Sequence, residues 1–130
     1  MLRVTALIAI LALPSAAFAA HASRPLTAPE KALVEHAIRA ELIDPDAARF
    51  RHNLFRTSED QYCGLVNAKN RMGGYTGYKV FSVNFTKSGG VIKQVTDVTV
   101  VATDNGDEPG GVLGMITTSG CAAAGYRVDY

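Results

Sequence analysis

The feature that most constrains this chain is its pair of cysteines, Cys63 and Cys121, fifty-eight positions apart. Whether they join depends on the compartment, and the first residues speak to that. Arg3 is followed by the apolar run Val4 to Leu13, then by Pro14 and the small-residue site Ala17-Phe18-Ala19, the pattern of a secretory signal with cleavage expected after Ala19. Ten apolar residues are about half of what a bilayer-spanning helix needs, so no stable membrane insertion is expected after cleavage. An even cysteine count in an exported chain then predicts one disulfide, Cys63–Cys121, in a periplasmic or secreted protein. In the chain-entropy model a loop of this length restrains the unfolded state by about 4 kcal/mol.

The expected organisation is a signal peptide at 1–19, a flexible leader at 20–26 and a single α+β domain at 27–130, a size below that at which chains divide. Without Arg3, twelve basic and twelve acidic residues remain. That balance argues against nucleic acid or an anionic membrane as the main partner, because both demand a basic surplus.

Thr27-Ala28-Pro29-Glu30 carries the signals of a helix start, with Thr27 as cap, Pro29 in the first turn and Glu30 closing a capping box. Leu33, Val34, Ala37, Ile38 and Leu42 follow at helical spacing and form one apolar stripe. The helix is expected to stop near Ile43, since Asp44 precedes Pro45; Asp44 to Ala48 then suits a short second helical turn. Beyond Phe50 the period changes. "FRHNLFR" and "QYCGLVNAK" read as short strands, and Lys79 to Lys87 alternates Phe81, Val83 and Phe85 with polar residues as a half-buried strand does. Ser88-Gly89-Gly90 signals a hairpin into the β-branched run Val91 to Ala102. Asp104 to Gly111 reads as a polar loop, and Val112 to Thr118 and Tyr126 to Tyr130 as weak late elements. The predicted architecture is an N-terminal amphipathic helix packed on an antiparallel sheet of about four strands, pinned by one disulfide.

The run Cys63-Gly64-x-Val66-Asn67-Ala68-Lys69-Asn70, followed by Gly73-Gly74-Tyr75-Thr76-Gly77-Tyr78 and Phe81, resembles a motif of a largely uncharacterised family of small exported proteins of Gram-negative bacteria. The upstream stretch Leu42 to Phe50 is similar to one that often accompanies it. The resemblance implies an exported α+β domain and assigns no catalytic residue.

Among chemical readings, a Cys63 nucleophile with His36 or His52 as base is the enzyme alternative, opposed by the disulfide that the compartment favours. The three histidines and two distant cysteines lack zinc-site spacing, and the acidic residues of 104–108 lack an EF-hand pattern, so no metal and no cofactor is expected. The glycines of 73–77, with Lys69, Arg71 or Lys79 nearby, precede a strand, whereas phosphate loops deliver an anion to a helix N-terminus. No pair of carboxylates is placed for glycoside hydrolysis. What remains is Asn67, Lys69, Asn70, Tyr75 and Tyr78, read either as turn architecture or as a recognition loop, since tyrosine offers contact area and a polar tip at low entropic cost. The function expected is a non-enzymatic module that binds a protein or envelope component through 67–78, or alternatively a structural accessory of an envelope assembly.

Overall fold

The computed structural model describes residues 22–101 and 112–129. The expected signal peptide and the polar loop 104–111 lie outside the described residues. Helix α1 (Ala28–Arg39) is followed by a 3-10 turn at Pro45–Ala47 and by strands β2 (Arg49–His52), β3 (Phe55–Arg56), β4 (Gln61–Lys69), β5 (Tyr75–Ser88) and β6 (Val91–Val100), then helix α2 (Val112–Ala123). A two-residue strand β1 (Ser23–Arg24) precedes α1 and pairs antiparallel with β3. The main sheet is antiparallel in the order β2-β4-β5-β6. Fold class is therefore α+β, with Cys63 and Cys121 disulfide-bonded.

Local chemistry accounts for most of these boundaries. Thr27 and Glu30 form the reciprocal capping box at the start of α1. Asp44 caps the 3-10 turn through the Ala47 amide, with Pro45 at its first position. Helix α1 ends at Arg39, earlier than Ile43, because Glu41 and Leu42 bond back to Ile38 and Arg39 in a tightened final turn. Gly89 and Gly90 close the two-residue β5–β6 hairpin.

Three expectations are corrected. The leader 20–26 is part of the fold from Ala22 onward: the Ala22 carbonyl accepts from Thr57, Ser23–Arg24 form β1, and Leu26 is buried. Strand β5 begins at Tyr75 and not at Lys79, so Tyr75 to Tyr78 lie on a strand and not in a loop. The weak late element at Val112 is a twelve-residue helix, while 126–129 carry no regular structure.

Strand alternation assigns the two faces of the sheet. One face presents Phe50 and His52 on β2, Tyr62, Gly64 and Val66 on β4, and Phe81, Val83 and Phe85 on β5. Helix α1 covers it with Val34 and Ile38, forming the aromatic-rich core. Gly64 is required there: a Cβ at this position would come within 2.6 Å of the Phe81 ring. The opposite face carries Cys63, Leu65, Val80 and Ser82, and the disulfide ties α2 to this side.

The N-terminus of α1 is anchored to the far end of the sheet by one carboxylate. Glu30 is fully buried and accepts two bonds from Arg24 at 2.6 and 2.7 Å, others from the Thr27 amide and hydroxyl, and one from the Ile92 amide at 3.0 Å. The Arg24 guanidinium holds this carboxyl well below its usual range, at about 2, and the backbone donors add to that.

Candidate functional site

The β4–β5 hairpin carries all five residues expected to meet a partner, and its tip is braced from within. Asn70 Oδ1 accepts from the Met72 and Gly74 amides, both at 3.0 Å, and the Asn70 amide donates to the Gly74 carbonyl. Asn67 Oδ1 accepts from the Gly77 amide at 3.1 Å. That bond sits where the register breaks: Asn67 pairs with Tyr78 but Lys69 with Tyr75, so β5 carries an extra residue. Gly77 takes the positive φ of 91° that the bulge demands. Asn67 and Asn70 thus spend their side-chain oxygens on the hairpin itself.

The tyrosines are placed differently. Both lie on the face opposite α1, toward its hairpin end, and each carries an arginine delivered from β2. The Arg49 guanidinium carbon is 4.2 Å from the Tyr75 ring centre, and that of Arg51 is 3.8 Å from the Tyr78 ring centre. Lys69 Nζ adds a third cation, 5.4 Å from the Tyr75 ring centre. Since β4 separates β2 from β5, both arginine side chains lie across the middle strand to reach their rings. The Tyr75 hydroxyl donates to the Ala47 carbonyl at 3.0 Å, clamping the ring to the 3-10 turn.

Stacking holds a guanidinium in place while leaving its N–H edges available, which is how arginine prepares for bidentate recognition. Among the described residues no carboxylate forms an ion pair with Arg49 or Arg51. Arg71 lies on the turn, and Lys79 faces the other side of the sheet with Val66. The surface is therefore Arg49, Arg51, Lys69, Tyr75 and Tyr78, with Asn67 and Asn70 as its frame. Sequence reasoning missed the two arginines. Their signal was present in the alternation Arg49-Phe50-Arg51-His52, which puts both on one strand face, but nothing local says which rings they will meet.

Two other constellations carry chemically reactive residue types. Cys63 is bonded to Cys121 and fully buried, and no free cysteine exists among the described residues. His52 sits between Glu35 (Nε2 to Oε1, 2.8 Å) and the Tyr62 hydroxyl (Nδ1 to Oη, 3.1 Å), the residue types of a proton relay. Yet Tyr62 is fully buried, its hydroxyl donates to the Asn53 carbonyl, and burial pushes its ionisation far above the ordinary value. This line ties α1 to β2. Among the described residues no group of His, Cys, Asp and Glu is arranged to hold a metal ion.

No protein-family model matches the chain, and no curated protein or solved structure matches it. Among the described residues no helix is long and apolar enough to cross a membrane.

Proposed function

We propose that this protein is an exported, non-enzymatic binding domain that engages a protein or envelope component through the surface formed by Arg49, Arg51, Lys69, Tyr75 and Tyr78. The observation that carries this reading is the stacking of two arginines on two tyrosines with no ion-paired carboxylate among the described residues. Charged side chains on a folded surface ordinarily mix with opposite charge, and such pairs are worth little. Two guanidiniums held flat and left without a counter-charge have lost their side-chain freedom in advance, which lowers the entropic cost of binding. The braced hairpin supplies a rigid base for the same purpose.

Affinity capture from periplasmic extract tests the reading. The protein carrying Arg51→Glu and Tyr75→Ala should keep its fold, read by thermal melting, and lose a partner that the unaltered protein retains. Equal capture by both would remove this surface from the functional account.

A further inference from the structure

Helix α2 turns one side to the sheet and leaves the other bare. Gly114, Thr117 and Cys121 are buried, and their spacing puts them on one side of the helix. The opposite side begins with large apolar residues: Val112, Met115 and Ile116 are exposed, Val112 by 75%, with Leu113 at their flank. It ends small, on exposed Ser119, Ala122 and Ala123. The large side chains alone present roughly 400 Å², an area that on a small protein marks an interaction site. From Val112 to Tyr126 the sequence holds no charged residue.

We infer that this face docks on the same face of a second copy, with the two α2 helices antiparallel about a two-fold axis. The taper from large to small side chains is the reason. Antiparallel packing sets the large end of each helix against the small end of the other, and the two-fold repeats every contact. With the helix midpoints aligned, Ile116 falls opposite the partner's Ser119, and Val112 opposite the partner's Ala123. Met115 then lies beside the partner's Ala122. Each pair joins a bulky side chain to a space, so the helices approach closely along their whole length. Parallel packing would instead set Ile116 on Ile116 and leave a gap at the alanines. Two uncharged faces also meet without like-charge repulsion.

A bilayer suits this face less well. Helices that lie in a membrane interface carry lysine or arginine on the polar side, and α2 has none, while its apolar stripe ends in alanine. Two copies of the face bury about 1,000 Å² together, the size of a transient contact and not of an obligate one. The folded monomer therefore stands on its own, and the dimer forms as concentration rises.

Sedimentation equilibrium of the purified protein, from micromolar to millimolar concentration, is the test. Expected is a monomer–dimer equilibrium with no larger species, because a two-fold contact closes on itself. Ile116→Ser and Ser119→Ile should each weaken dimerisation at least tenfold, the first by opening a gap and the second by setting isoleucine against isoleucine. The double variant restores one large and one small residue to each pair, and should recover affinity to within about threefold of the unaltered protein. Both positions are exposed, so thermal melting at low micromolar concentration should find the monomers nearly equal in stability. A monomer at millimolar concentration, open-ended association, tighter dimerisation on Ser119→Ile, or a double variant no better than the single ones overturns the inference. Co-sedimentation with phosphatidylglycerol vesicles that depends on Ile116, with no dimer in solution, gives the face to lipid and overturns it equally.

Discussion

The two helices lie against opposite faces of one sheet and are held there by different forces. Helix α1 is capped at its start, presents Val34 and Ile38 to an aromatic core, and is bonded to the sheet through Glu30 at one end and Glu35–His52 further along. Helix α2 contains no charged residue, and it buries Gly114, Thr117 and Cys121 toward the sheet. Its apolar side chains Val112, Leu113, Met115 and Ile116 are exposed, Ile116 by 64%. What α2 lacks in packed apolar area, the disulfide supplies by restraining the unfolded chain. The lesson is that burial and cross-linking are interchangeable ways to hold an element, but they respond to different perturbations.

The strongest break in this comparison is removal of the bond. Replacing Cys63 and Cys121 together by alanine should cost about 4 kcal/mol in chemical denaturation, the loop-closure value for fifty-eight residues. Hydrogen exchange should lose protection in α2 while α1 keeps most of its own. Equal loss in both helices would show that α2 is held by packing after all.

Glu30→Gln should act on the other helix, at about 3 kcal/mol, because it leaves Arg24 without its counter-charge and weakens the bond to Ile92. The same carboxylate sets an acid dependence. Its folded value of about 2 lies below the unfolded value of 4.5, so its contribution is complete above about pH 5 and is lost as pH falls through 2. Stability of the unaltered protein should fall across that window, and the Glu30→Gln protein should show a correspondingly flatter profile. Parallel profiles would remove Glu30 as the source.

The smallest effect sharpens the contrast. Ile116→Ser changes an exposed side chain, and the midpoint of denaturation should move by no more than about 0.5 kcal/mol equivalent. A Val34→Ser change, by contrast, places a hydroxyl in a fully buried core site. A large loss at Ile116 would mean that the outer side of α2 supports the fold.

How much of this was legible in advance follows the same division. Helix α1, the 3-10 turn at Pro45, strands β4 and β6 and the Gly89-Gly90 turn all follow from signals a few residues long: a cap, a proline, an alternation, a pair of glycines. Helix α2 was not legible as a helix. Its sequence, Val112 to Ala123, has glycines at 114 and 120, β-branched residues and no capping box, so local propensity gives no clear preference. The Cys63–Cys121 pairing agrees with what the even cysteine count and the export-like N-terminal pattern predict.

The candidate surface is half legible in the sequence. Composition singles out Tyr75, Tyr78 and Lys69, and the turn-forming reading of Asn67 and Asn70 agrees with their side-chain bonds to the hairpin backbone. Arg49 and Arg51 were not picked out, although they complete the surface. Local sequence marks a short strand from Phe50, a second over Gln61 to Lys69 and a break at Gly73-Gly74. Only the tertiary structure decided that β2 would lie at the sheet edge, in the register that carries those arginines across β4 onto Tyr75 and Tyr78. The reason is that strand pairing is a non-local choice: a shift by one residue would have turned both arginines to the α1 side.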